Sequence, residues 1–256
     1  MTSRASHRRK PGGASKSVSE RATPATWRAA IAEIATRAEP AARLLTPGAP
    51  SGSLAVVPGA YNPPTRGHVA LARSARRHGF ENVLFSLGTV TLDKPQSGLR
   101  LEERLHLLAQ IAATEPGCGV VLVNRGLYAE QAEALHRSFP EIERLAFVVG
   151  MDKVEQIFDE RYYLDRDRAL GALFERAGLL VAGRGSLDRA ALQRLLEKPP
   201  ARSFARRIEW LDLDPEVRDV SATAVRERLA RGDRASDWLP PPVERYLRRR
   251  GSIFGK

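Results

Sequence analysis

Short apolar runs alternate with helix-period segments along most of this 256-residue chain, and few folds accommodate that order. The runs are Leu54–Pro58, Asn82–Leu87, Gly119–Val123, Leu145–Val149, Leu179–Ala182 and Ile208–Leu213. Segments of helical spacing separate them, at Val69–Arg77, Arg100–Ala113 and Ala129–Ser138. Runs this brief and this apolar read as strands buried on both faces. Strand and helix in alternation mean parallel strands joined by crossover helices. The expected class is therefore α/β, a Rossmann-like doubly wound parallel sheet with helices on both faces. In such sheets ligands bind beyond the carboxyl ends of the strands, where the strand order reverses. The loops that follow the strands are where chemistry is to be sought.

The ends of the chain have a different character. Residues 1–22 hold six Lys/Arg against one Glu and almost no large apolar side chain. They cannot bury enough surface to offset ordering entropy, and a disordered basic tail is expected. Residues 23–53 are read as an N-terminal helical extension and linker. Trp27, Ile31, Ile34, Ala38, Ala42 and Leu45 recur at helical spacing with Pro40 interrupting, and a Pro/Gly/Ser-rich stretch follows. The remaining domain is expected over 54–256. The formal charge of +11 sits at the two termini, because residues 226–256 add nine Lys/Arg against four acidic groups. The body is nearly balanced, so nucleic acid is not an expected partner beyond weak contact by the basic tail. No apolar run is long enough to span a bilayer, and the first residues lack the apolar core of a signal peptide. Cys118 is the single cysteine, which excludes an internal disulfide and a cysteine-rich zinc site. The expected setting is a reducing cytoplasm, and a homo-oligomer is compatible with the sequence.

The loop after the first run reads Pro58-Gly-Ala-Tyr-Asn-Pro-Pro-Thr-Arg-Gly-His68 and leads into a helix. Gly59 permits close backbone approach to a ligand, and the two prolines stiffen the turn. Thr65 and His68 lie three apart at the helix start and face the same way, with Gly67 removing a side chain beside them. Free N–H groups there form an anion site, and a hydroxyl and an imidazole over it suit a polyphosphate. Neither a P-loop nor a G-x-G-x-x-G fingerprint is present.

Segment Gly59–His68 resembles the G-x-F-x-P-x-H-x-G-H stretch of the nucleotidylyltransferase superfamily in its [HT]-x-G-H form. Thr65 takes the first His position, His68 the second, and Tyr61 stands for the usual Phe. Val220-Ser-Ala-Thr-Ala-Val-Arg226 is similar to the I-S-S-T-x-I-R motif of nicotinamide/nicotinate mononucleotide adenylyltransferases, with Ala222 replacing the second serine. Leu239-Pro-Pro-Pro-Val-Glu-Arg-Tyr246 resembles their L-P-x-x-V-x-x-Y-I tail, and Phe147-Val-Val-Gly-Met-Asp152 their F-I-x-G-x-D strand end.

The resemblance implies adenylyl transfer from ATP, with Mg²⁺, to a pyridine mononucleotide. Ser221 and Thr223 open a second polar helix N-terminus, and Arg226 lies one turn further in. Two helix starts from opposite halves of the sheet would thus hold one triphosphate. His68, Thr65 and Arg226 are the expected catalytic groups, with Gly59, Tyr61, Gly67, Gly150, Asp152, Ser221 and Thr223 on ATP. Gly150 permits close backbone approach, and Asp152 accepts from a ribose hydroxyl or caps its helix. Lys94, Tyr128 and Arg104 are expected around the mononucleotide, and no protein metal cage is evident. The alternatives are another phosphate acceptor (as in a cytidylyltransferase or a pantetheine-phosphate adenylyltransferase) or a non-catalytic nucleotide-binding scaffold.

Overall fold

In the computed structural model the described residues are 24–89, 98–185, 187–251 and 254. The tail expected over 1–22 and the candidate Lys94 lie outside them. The architecture is α/β. Helix α1 (Pro24–Ala35) leads to strand β1 (Ala42–Leu44), then β2 (Gly52–Pro58), α2 (Arg66–Arg77), β3 (Asn82–Gly88) and α3 (Leu101–Ala112). The chain continues through β4 (Cys118–Val123), α4 (Tyr128–Ser138), β5 (Ile142–Gly150), α5 (Met151–Phe158), α6 (Arg166–Arg176) and β6 (Gly178–Ala182). It ends with α7 (Arg189–Leu196), β7 (Ile208–Leu211), α8 (Pro215–Arg218), α9 (Ala222–Ala230) and α10 (Pro241–Arg250).

The seven strands form one sheet in the order β1-β4-β3-β2-β5-β6-β7. From β2 the chain winds outward through β3 and β4, and from β5 it winds the other way through β6 and β7. The reversal lies between β2 and β5, which pair in parallel with Leu54 opposite Leu145 and Val56 opposite Phe147. Along β2 the side chains alternate between faces. Ala55 and Val57 join a core with Phe85, Leu105, Val225 and Val243, while Leu54 and Val56 join one with Phe147, Ala132, Leu170 and Leu192. No described helix is long and apolar enough to cross a membrane.

All six apolar runs are strands, and the N-terminal region differs from expectation. The helix read across Thr26–Leu45 stops at Ala35, and Ala42–Leu44 pairs antiparallel with β4, making the sheet mixed. Pro40 removes a helical N–H and disfavours helix at Glu39, so the chain leaves the helix before it. Trp27 and Ile34 are buried in the same core as Leu105 and Leu108, so the extension shares the domain's interior. The linker is shorter than its composition implied, since β2 already begins at Gly52.

Candidate active site

Strand β2 delivers the loop Gly59–Pro64 to the reversal point. The Gly59 N–H donates to the Ser86 carbonyl at 3.1 Å, which stitches the loop to the end of β3. Tyr61 is fully buried and holds a left-handed backbone with φ 48°, a conformation that non-glycine residues adopt only under constraint. Its hydroxyl donates to the Val57 carbonyl, and its ring covers Gly59, where a Cβ would lie 3.0 Å from the ring. Burial holds the phenol well above its ordinary pKa. The ring lies 4.7 Å from the His68 ring, centroid to centroid, so Tyr61 forms the floor on which the imidazole rests.

Thr65 is the N-cap of α2 and is fully buried. Its backbone N–H donates to His68 Nδ1 at 3.0 Å, and its Oγ1 lies 2.8 Å from the same nitrogen. An Nδ1 that accepts a bond is unprotonated, so the neutral ring carries its proton at Nε2. Burial, with the Arg184 cation as a second cause, lowers the His68 pKa to about 4. The imidazole is neutral at pH 7 with Nε2–H as its donor. The first turn of α2 carries no acidic residue, and since the His68 N–H donates to the Thr65 carbonyl at 3.1 Å, an anion there would be met by the N–H groups of Arg66 and Gly67.

The distal motif meets this loop directly. Ser221 caps α9 by accepting from the Ala224 N–H at 3.0 Å. Arg226 donates through Nη2 to Thr223 Oγ1 at 3.1 Å and through Nη1 to the Asn62 carbonyl at 2.8 Å. A Cβ on residue 67 would fall closer to the Val220 carbonyl than the 3.0 Å that real Cβ atoms keep, with the Val217 carbonyl at 3.4 Å. The missing side chain of Gly67 makes room for the backbone that precedes α9, and α8 packs on α2 at the same place. The openings of α2 and α9 are thereby held side by side.

The other candidates divide between cleft and scaffold. Gly150 caps α5, and Asp152 in its first turn lies 3.6 Å from Arg184. Tyr128 at the start of α4 sits edge-on to Phe147 at 5.1 Å, and burial, then Tyr163, then Asp152 raise its pKa. Arg104 is 6% exposed and donates through Nε to the Leu99 carbonyl at 2.7 Å and through Nη1 to the Ala60 carbonyl at 3.4 Å. Burial and the neighbouring Arg226 lower its pKa. These two bonds brace the first loop from beneath.

The sequence reading did not single out Asn62, Arg184, Ser86, Thr89 or Asp219. Asn62 accepts from the Leu99 N–H at 2.9 Å, and Asp219 accepts from the Gly185 N–H at 2.7 Å, tying the loop after β6 to the distal motif. Ser86 Oγ and Thr89 Oγ1, at the carboxyl end of β3, are buried hydroxyls without a hydrogen-bond partner among the described residues. Arg184 was discoverable, because it follows β6 where the fold rule directs attention. Among the described residues no three His, Cys, Asp or Glu side chains gather as a metal site.

A family model described as Cytidylyltransferase-like matches residues 56–228. A probable nicotinate-nucleotide adenylyltransferase of Yersinia pestis (strain Pestoides F) is 26% identical over 212 residues, covering 77% of this chain and 93% of that protein. One from Gloeobacter violaceus is 27% identical over 211 residues, covering 77% and 94%. Among solved structures, Plasmodium falciparum nicotinic acid mononucleotide adenylyltransferase complexed with NaAD superposes with a TM-score of 0.57 at 12% identity, over 81% of this chain and 99% of the other. The same enzyme complexed with APC gives 0.56 at 11% identity, with the same coverage. At that identity the superposition establishes the shared fold.

Proposed function

The chain belongs to the Cytidylyltransferase-like family, and on that premise we propose that it transfers the adenylyl group of ATP to nicotinate or nicotinamide mononucleotide, forming the dinucleotide and pyrophosphate. One observation carries the reading: Arg226, from the far end of the domain, donates to the Asn62 carbonyl of the first loop at 2.8 Å. That bond makes one polyanion site of two helix openings. The names of the relatives support nicotinate mononucleotide as the acceptor. They also favour an enzyme over the non-catalytic scaffold.

The acceptor phosphate is already anionic, so no general base is required. One of its oxygens attacks the α-phosphorus of ATP, the bond from that phosphorus to the bridging oxygen breaks, and pyrophosphate leaves with the electron pair. What the protein supplies is alignment and charge compensation. His68 donates from Nε2 toward the α-phosphate, and Thr65 fixes the ring and closes the turn around the phosphates. The N–H groups of α9, with Thr223 and Arg226, receive the β- and γ-phosphates. Mg²⁺ would enter with ATP as part of the substrate and would supply further compensation of phosphate charge.

The second reading keeps the fold and changes the acceptor, and the matching family model is itself described by cytidylyl transfer. Pyrophosphate release decides between them. Purified chain with Mg²⁺ and ATP is offered nicotinate mononucleotide, nicotinamide mononucleotide or phosphopantetheine, and CTP is offered with phosphocholine. Turnover with a pyridine mononucleotide at least tenfold above the other acceptors is expected; preference for another acceptor refutes the proposal.

A further inference from the structure

We infer that the N-terminal extension is a working part of the acceptor half of the cleft, and that Asn124 is the positioning residue that couples them. The inference rests on the adenylyltransferase reading above. Its physical starting point is the division of space at the sheet's carboxyl edge. The two helix openings that receive the triphosphate lie at β2 and at the segment before α9. The acceptor must approach the α-phosphorus from outside them. Gly150 and Asp152, after β5, are assigned to ATP, which leaves the ends of β3 and β4 for the acceptor. Loop 124–128 leaves the end of β4 there, and Tyr128 at its close packs edge-on to Phe147 of β5 at 5.1 Å.

That loop does not hold its own shape through a local turn. It is fastened to the extension. Asn124 is 2% exposed and uses its whole side-chain amide on backbone of residues 37–41. Its Nδ2 donates to the Arg37 and Glu39 carbonyls, each at 3.0 Å, and its Oδ1 accepts from the Ala41 N–H at 2.8 Å. Its backbone N–H donates to the Ala41 carbonyl at 3.2 Å. Arg125, the next residue, donates to the Ala38 carbonyl. On the other side Gln131 donates to the Arg125 and Gly126 carbonyls at 3.1 and 3.2 Å. Loop 124–128 is therefore clamped between extension and α4.

The extension is in turn anchored in the interior by Trp27 and Ile34, and β1 runs beside β4 up to the same point, with Ala42 opposite Val123. An amide with three partners in fixed directions tolerates little displacement before a buried polar group loses its partner. Movement of residues 37–41 must carry the Asn124 backbone with it. Since that backbone opens the acceptor loop, disturbing the clamp loosens acceptor binding and leaves the polyphosphate side, built on α2 and α9, as it was.

The test separates the two substrates. Steady-state kinetics of pyrophosphate release are measured on the full chain for wild type, Asn124→Ala and Ala41→Pro, with intrinsic tryptophan fluorescence and circular dichroism recorded on each. Ala41→Pro removes the N–H that Asn124 Oδ1 accepts and sets the proline ring against that oxygen, so it breaks the same clamp from the extension's side and stands in if Asn124→Ala does not fold. The expected result is a KM for the pyridine mononucleotide raised about tenfold, with KM for ATP and kcat each within threefold of wild type. A folded variant whose mononucleotide KM stays within twofold, or whose two KM values rise together, overturns the inference while the functional reading stands. A wild-type chain that releases no pyrophosphate with either mononucleotide overturns both.

Discussion

Arg226 Nη1 donates to the Asn62 carbonyl at 2.8 Å, across 164 positions of sequence. Its other terminal nitrogen is bonded to Thr223 Oγ1, so one planar fork joins the first loop to the opening of α9. A lysine has no such fork. Arg226→Ala is expected to lower kcat/KM for ATP by about 10- to 100-fold, the range of one charge-assisted hydrogen bond. Arg226→Lys should recover only part of that. Initial rates against ATP concentration check both, and unchanged ATP kinetics would remove Arg226 from the site.

Gly67 tests the packing that sets the cleft's width. A methyl group there has backbone on the far side, the Val220 carbonyl, which cannot swing away as a side-chain tip could. Gly67→Ala should lose about 1–3 kcal/mol of stability by overpacking and should raise KM for ATP as the two helix openings separate. Urea unfolding with paired ATP kinetics reads both effects.

His68 supplies a single donor, so its removal has a bounded effect. His68→Ala should cut kcat by about 10²–10³-fold, the usual loss for one transition-state donor. The fold should survive, although the Thr65 N–H loses its acceptor. A rate within threefold of wild type would exclude His68 from the mechanism.

The same imidazole makes a prediction in pH. Its folded pKa of about 4 lies below the ordinary histidine value of 6.5, so between those values the unfolded chain binds more protons. This contribution to stability is complete above about pH 6.5, and it is lost as the pH falls toward 4. In the free protein, the His68 ring resonance should hold its neutral position from pH 8 to pH 5.5 in an NMR titration. A midpoint near 6.5 would contradict the buried, Nε2-protonated ring.

What could be read from sequence was what repeats locally or carries its own chemistry. The six strands were legible because each is a near-continuous apolar run, and the pairing of T-x-G-H with the distal S-x-T-x-x-R segment because both are polar helix starts. β1 was hidden: Ala-Arg-Leu has no period, and its edge place is set by β4 and by Asn124, whose partners are backbone atoms. The bracing bonds of Arg104 were hidden for a related reason: their acceptors, the Leu99 and Ala60 carbonyls, leave no trace in side-chain pattern. The packing role of Gly67 was not legible, because the backbone it makes room for, at Val220, is 153 positions away.

The most direct test is a crystal structure of the protein with Mg²⁺ and a non-hydrolysable ATP analogue. The account predicts a single triphosphate, with an α-phosphate oxygen about 2.7–3.2 Å from His68 Nε2 and the β- or γ-phosphate at hydrogen-bond distance from the Arg226 guanidinium. A triphosphate that touches one of these groups and leaves the other facing solvent would contradict it.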